Sequence, residues 1–248
     1  MKGKPAKKRL DTLLVERNLA NSVEKAQAMI LAGEIHVAGA RAEKAGARFS
    51  EDAEIVLASR TPRYASRGGI KLEGALADFS VDPVGRICLD IGSSTGGFTD
   101  CLLQKGAARV YAVDVNVSQL SWNLRQDARV VAIQANAREL RGKAIPEPIE
   151  LVVIDVSFIS ATKVLRPAIA CGKDGADFLI LVKPQFELPR EDVPPGGIVM
   201  DTSLQEKAIA VVTKAAAGAG LKTLGTKPSR LLGAAGNQEH FVHARKAR

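Results

Sequence analysis

Apolar positions along this chain follow two different rhythms. Leu10, Leu13 and Leu14 mark one face of a first short helix, and Ala26, Met29 and Ile30 mark a face of a second, capped by Ser22 and ended by Gly33. Glu34-Ile35-His36-Val37 then alternates like a strand, Ala38-Gly39 supplies a turn, and Glu54-Ile55-Val56-Leu57 reads as the returning strand of a hairpin. Thr61-Pro62-Arg63 has the character of a linker. From residue 86 compact apolar runs at 86–91, 109–114, 130–134, 149–155 and 177–183 predict strands, and the stretches 98–106, 117–127 and 160–172 predict helices between them. A helix over 203–219 and strands near 221–226 and 240–245 bring the expected sheet to about seven strands, slightly above the mean sheet size. The alternation predicts an α/β domain with a parallel sheet, helices on both faces, and ligands at the carboxyl ends of the strands.

With 46% hydrophobic and 25% charged residues and a mean hydropathy of +0.01, the chain has material for a core and no signature of disorder. Its longest apolar runs, 151–154 and 178–182, fall far short of the ~18 residues of a spanning helix, so membrane insertion is not expected. The basic residues 1–9 lead into a polar amphipathic stretch rather than the apolar core of a signal peptide. Cys88, Cys101 and Cys171 are too few and too scattered for a disulfide framework or a cysteine metal site, which fits a reducing cytoplasm. His36, His240 and His243 have no metal-ligand spacing, and no metal is expected. The formal charge of +8 is uneven: residues 1–67 hold thirteen Lys+Arg against eight Asp+Glu. A small basic module attached to a nearly neutral domain suits phosphate as partner, although a merely solvated face reads the same way.

The first strand of the large domain carries Asp90 and opens into Gly92-Ser93-Ser94-Thr95-Gly96-Gly97-Phe98. Such a turn sets backbone N–H groups and a helix N-terminus against a ligand. The spacing lacks the G-x-G-x-x-G of dinucleotide sites, and Phe98 stands where a phosphate-binding loop needs lysine. D-x-G-x-x-x-G-G remains, with Asp114 ending the next strand, where an acid accepts hydrogen bonds from ribose hydroxyls, and with Asn136 after the third strand to read an adenine edge. The combination suits S-adenosylmethionine. A tight strand-to-helix turn with no ligand is the plainer alternative.

Polar residues also end other strands: Asp155 after Leu151-Val152-Val153-Ile154, and Lys183 after Phe178-Leu179-Ile180-Leu181-Val182. A lysine ending a fully apolar strand needs a partner or a function, or else must reach water with its head. Lys71 opens a helix before the sheet, and Glu239 precedes the last strand.

Taken with Arg9-Leu10-Asp11, Ser66-Arg67-Gly68-Gly69, residues 90–100, Asp155-Val156-Ser157-Phe158-Ile159-Ser160, Lys183-Pro184-Gln185-Phe186-Glu187 and Gly236-Asn237, this K…D…K…E order resembles TlyA-type haemolysin A proteins within the FtsJ-like ribosomal RNA 2′-O-methyltransferases. The resemblance implies an RNA-binding domain at 1–60 like that of ribosomal protein S-four, a linker at 61–69, and a Rossmann-like class I methyltransferase domain at 70–248. It implies S-adenosylmethionine as cofactor, held by Asp90, Gly92, Ser93, Ser94, Thr95, Gly96, Gly97, Phe98, Asp114, Asn136 and Asp155. It further implies Lys71, Asp155, Lys183 and Glu239 as the catalytic tetrad. In that tetrad Lys183 accepts or polarises the proton of the ribose hydroxyl, or orients the hydroxyl as a cation. Its partner would be ribosomal RNA in ribosomal subunits, with cytidine of the large subunit, and in some members the small subunit, as target. Arg9, Arg17, Lys25 and Arg41 are the expected phosphate contacts. Glu187, in a Pro/Gly-rich loop that runs to Gly197, is expected to have a substrate-facing lid or positioning role. Departures are Val23 where the family commonly has arginine, His240 in place of a large apolar residue, and Pro228-Ser229-Arg230. Two other classes remain open: a membrane-acting cytolysin, as the family name suggests, and a non-catalytic ribosome-binding assembly factor. The sequence does not set an oligomeric state.

Overall fold

The computed structural model describes residues 7–57, 63–140 and 145–247. Lys2 and Lys4 of the basic start and Thr61-Pro62 of the expected linker lie outside the described residues. The chain divides into two compact units, Met1–Pro62 and Arg63–Arg248.

In the first unit β1 (Lys7–Arg9) leads into α1 (Leu10–Glu16), followed by α2 (Val23–Leu31), β2 (Ile35–Val37), β3 (Ala40–Arg41), β4 (Arg48–Ser50) and β5 (Ile55–Leu57). The predicted faces meet: Leu10, Leu14, Ala26, Met29, Ile30, Ile35 and Val37 form one core. The Ser22 side chain caps α2 by accepting from the Lys25 backbone N–H at 3.2 Å. The hairpin differs from expectation. Across Ala38-Gly39 the chain returns as β3, and β5 pairs with the other side of β2. The stretch 54–57 therefore adds a third strand, and β1 and β4 form a separate ribbon that apolar periodicity over three residues is too short to reveal.

The second unit contains α3 (Gly68–Asp78), β6 (Ile87–Ile91), α4 (Gly97–Gln104), β7 (Arg109–Asp114), α5 (Trp122–Gln126), β8 (Val130–Gln134), β9 (Ile149–Ile154), α6 (Thr162–Cys171), β10 (Gly172–Val182), α7 (Pro184–Glu187), α8 (Thr202–Gly218), β11 (Leu221–Pro228) and β12 (His240–Lys246). Helix α3 starts inside the stretch read as a linker. The seven strands lie in the order β11-β12-β10-β9-β6-β7-β8. Six run in one direction, but β12 runs antiparallel to both β10 and β11, so the sheet is mixed rather than parallel. A short chain reversal between 228 and 240 permits this, whereas a parallel return would need a crossover. The predicted helix 117–127 is broken into a 3-10 turn at Val117–Gln119 and α5, because the Ser121 N–H donates to the Thr95 carbonyl of the glycine loop.

Strand order reverses between β6 and β9, and the crevice outside their carboxyl ends is where such sheets hold ligands. The apolar strand residues divide between the two faces. Leu89, Ile91, Val152, Ile154 and Ile180 pack on α6 and α8, while Cys88, Leu151, Val153, Leu179 and Leu181 pack with Leu72 of α3 and Leu102 of α4.

At the opposite end of the sheet, buried Asp177 accepts from His243 Nε2 at 2.9 Å, from Arg86 at 2.8 Å and from Arg245 at 2.9 and 2.8 Å. Burial opposes its charge, but these donors outweigh burial and hold the carboxyl well below the usual range. The stability it contributes is present above the unfolded carboxyl value of ~3.9 and is lost as pH falls below it. Asp177→Ala leaves three cationic or polar groups without their acceptor and is expected to cost about 3–5 kcal/mol. Urea unfolding at pH 7 and at pH 3 checks this, with the difference from wild type shrinking at the lower pH.

Candidate active site

The site begins with a close approach of two strand ends. The Asp155 backbone N–H donates to the Ile91 carbonyl at 2.9 Å, and the Asp155 carbonyl lies 2.3 Å from where a Cβ on Gly92 would stand. Gly92 also has φ +85°. No other residue fits there without displacing the backbone after β9. Gly97 is closed in as well: a Cβ would fall 2.1 Å from Ser66 Oγ, where the N-termini of α3 and α4 pack. The glycine loop is thus required by the fold's own contacts.

Asp90, fully buried, accepts from Thr99 Oγ1 at 2.6 Å, and its other oxygen has no hydrogen-bond partner among the described residues. Burial pushes its carboxyl up to about 7. Asp114 Oδ2 accepts from the Ser94 N–H at 2.9 Å and Oδ1 from the Asn116 N–H at 3.0 Å, which ties the loop to the end of β7. Asn136 uses its amide locally, accepting from the Arg138 N–H and donating to Glu139, while still lining the cavity. Phe98 is mostly core, stacked on Phe241 at 6.1 Å, and Thr95 contributes its carbonyl to Ser121.

Two adjoining cavities open over this loop. One, about 200 Å³, is lined by Ser66, Arg67, Lys71, Ser93, Thr95 and Lys183 among others; the second, about 320 Å³, runs past Asp114, Val115, Asn136, Val156 and Ile159. Gly92, Ser94, Asp155 and Ser157 belong to both walls. A larger hollow of about 700 Å³ on the outer side of α3 lies away from these residues, and its cations Arg63, Lys105 and Arg230 are paired with Glu73 or Asp78.

The four tetrad candidates form two ion pairs. Lys183 Nζ lies 2.6 Å from Asp155 Oδ1 and donates to Ser157 Oγ at 2.7 Å. Lys71 Nζ lies 2.5 Å from Glu239 Oε2. Antiparallel register explains the second pair's location, because Val182 faces His240 and so sets the turn carrying Glu239 beside Lys183. Lys71, Asp155 and Lys183 line the first cavity, whereas Glu239, buried, meets it through Lys71.

Residues 155–161 and 183–187 grip each other along their length. Beyond the Lys183 contacts, the Phe158 and Phe186 rings meet at 5.5 Å, and Glu187 accepts from Ser160 Oγ at 2.5 Å and from the Ala161 N–H at 2.8 Å. Glu187 is buried, and burial raises its carboxyl. It therefore holds the loop 155–161. Phe158, 89% exposed with φ +66°, is kept in a left-handed conformation by this grip. Sequence reasoning missed Ser157 as a partner of Lys183; its one signal was position, two residues after Asp155 at a strand end.

Residues 64–246 match the FtsJ-like methyltransferase family and residues 8–55 match the S4 domain. The chain belongs to the FtsJ-like methyltransferase family. Among curated proteins, the 16S/23S rRNA (cytidine-2'-O)-methyltransferase TlyA of Mycobacterium tuberculosis is 43% identical over 239 residues, covering 96% of this chain and 89% of that protein. A solved hemolysin-named protein of Streptococcus thermophilus is 40% identical with TM-score 0.75, covering 99% of this chain and 90% of that one. An S-adenosylmethionine-dependent methyltransferase of Mesorhizobium loti, 14% identical with TM-score 0.53 over 71% of this chain and 98% of that one, shares the fold. Among the described residues no helix is long and apolar enough to cross a membrane, and no cluster of metal-ligating side chains occurs.

Asp90 of this FtsJ-like domain gives a prediction. A buried carboxyl raised to about 7 stabilises the fold below ~3.9 and loses that contribution as pH rises toward 7. Asp90→Asn keeps an acceptor for Thr99 without the titration. Its thermal midpoint is expected to gain on wild type between pH 4 and pH 7 and to run parallel above.

Proposed function

We propose that the protein transfers the methyl group of S-adenosylmethionine to the 2′-hydroxyl of a cytidine in ribosomal RNA, with large-subunit RNA as the first substrate and small-subunit RNA as the second. The observation that carries this reading is Lys183 Nζ, held by Asp155 and Ser157 in the first cavity, where it adjoins the second. The residues present fit the cofactor. Buried Ser93 Oγ has no partner among the described residues and lies on the wall of the first cavity, ready for a polar ligand end. The second cavity is walled by Val115, Val156 and Ile159, with Asp114 at its side for ribose hydroxyls.

Bound there, S-adenosylmethionine supplies a sulfonium methyl group. Methyl transfer to oxygen is an in-line displacement, so aiming the hydroxyl supplies a large share of the acceleration. Lys183 orients the 2′-hydroxyl and receives or polarises its proton. Asp155 fixes Lys183 from the end of β9, and Glu239 fixes Lys71 from behind. Glu239 thus works as a positioning group within the tetrad. Ribosomal subunits as substrate make this a cytoplasmic enzyme.

Residues 1–60 serve as the RNA-binding domain and 70–248 as the catalytic domain. The exposed Arg9, Lys25 and Arg41 provide phosphate contacts. Arg9 is held for this by a bidentate bond to buried Asp11 at 3.0 and 2.6 Å. Arg17 differs from the other three: its guanidinium donates to the Ala53 carbonyl at 2.7 Å and to the Glu51 carbonyl, so it braces the loop after β4.

Two expectations follow. Lys183→Ala abolishes labelled-methyl transfer to unmodified ribosomal subunits while calorimetric binding of S-adenosylmethionine persists; turnover like that of wild type overturns the reading. Lys25→Ala and Arg41→Ala weaken RNA binding evenly across sequences, each reducing the salt slope by about 0.7–0.9. Arg17→Ala instead lowers the thermal midpoint. Filter binding over a salt series, with thermal unfolding of each variant, checks the distinction.

A further inference from the structure

Lys183 presents an amino group with four tetrahedral directions. One is its bond to carbon and a second donates to Ser157 Oγ at 2.7 Å, while Asp155 Oδ1 stands 2.6 Å away as an ion-pair partner without an aligned hydrogen bond. A direction remains for substrate, a lone pair on the amine or an N–H on the ammonium. With Asp155 alone, a charge at short range, the group would still rotate about its bond to carbon and sweep that direction through a cone; the fixed Ser157 acceptor stops the rotation. Ser157 is suited to the task. It is anchored two residues after Asp155 in the loop that Glu187 and Phe186 grip from the other side, and it lines both cavities. The other charged groups on the first cavity, Lys71 with its Glu239 partner and Arg67, make no hydrogen bond to Lys183 that would substitute for it.

We propose that Ser157 is a positioning residue for methyl transfer, fixing the rotation of the Lys183 amino group so that its remaining direction meets the ribose 2′-hydroxyl. The inference rests on the 2′-O-methyltransferase reading above. In the step it serves, the Lys183 ammonium first gives a proton to solvent, the sulfur–methyl bond breaks with its electron pair returning to sulfur, the oxygen–methyl bond forms, and the hydroxyl proton passes to Nζ. Nζ then remains held by Asp155 and Ser157 as an ammonium. Hydroxyl acceptance is the property required, so Ser157→Thr retains it and Ser157→Ala loses it.

The test is steady-state transfer of labelled methyl from S-adenosylmethionine to unmodified ribosomal subunits by full-length wild type, Ser157→Ala and Ser157→Thr, with cofactor binding by calorimetry and thermal midpoints measured on the same preparations. Ser157→Ala is expected to lower kcat on the order of 10-fold to 100-fold, as misaimed groups do. KM for both substrates, cofactor affinity and the thermal midpoint are expected to stay at wild-type values, and Ser157→Thr is expected to recover most of kcat. Wild-type kcat in Ser157→Ala overturns the proposal, as does a loss matched by a fall in cofactor binding or midpoint, or a loss that Ser157→Thr does not recover. Absence of transfer by folded, cofactor-binding wild type overturns the methyltransferase reading itself and this inference with it.

Discussion

The ion pair between Asp155 and Lys183 is the contact on which the site depends. Each residue ends a buried apolar strand, and the two strands are neighbours in parallel register, so the charges meet only once the sheet is formed. A lysine in that position without an acceptor would be costly to bury, and a carboxylate without a donor equally so. The pair resolves both problems at the one edge of the sheet where strand order reverses. Everything else in the site is arranged about it: the glycine loop touches the Asp155 carbonyl, and the segment after Lys183 grips the loop after Asp155.

That grip gives the segment 183–187 its meaning. Lys183, Phe186 and Glu187 contact Asp155 with Ser157, Phe158, and Ser160 with Ala161 respectively, so two short motifs distant in the chain dock in register like two strands without being strands. Burial raises the Glu187 carboxyl, and the Ser160 hydroxyl and Ala161 N–H that donate to it oppose that rise. The outcome is a preorganised loop with one exposed aromatic ring, Phe158, at its tip. Preorganisation of this kind matters for a reaction whose acceleration comes largely from aim.

Glycines in the loop after β6 illustrate a wider point about such motifs. Gly92 and Gly97 are needed because backbone and side chains of this protein come within 2.3 and 2.1 Å of their missing Cβ atoms. The same absence of side chains leaves the first cavity open. Packing and ligand access therefore select the same residue type, and the motif alone does not separate them; Ser93, whose hydroxyl is unpartnered among the described residues, stands on that cavity wall.

Much of this was legible in the amino-acid order. Strong apolar runs such as 151–154 and 178–182 must be buried strands, and the polar residues that end them must sit at the sheet's edge, because periodicity and burial are local properties of a sequence. Hence the large domain, its strands, the glycine loop and the strand-end pair Asp155 and Lys183 were accessible from the pattern, whereas Lys71 and Glu239 became candidates only through the family resemblance. Pairing was not. That β12 runs antiparallel, that β3 rather than β5 closes the hairpin, that Arg17 braces a loop, that Glu187 faces inward and that Ser157 meets Lys183 all depend on which segments become neighbours. Local residue order is enough to dictate which side chains must be buried and which chemistry stands at the strand ends. Which of those groups share a hydrogen bond emerges with folding, since contact between residues far apart in the chain is a property of the closed sheet and not of any stretch within it.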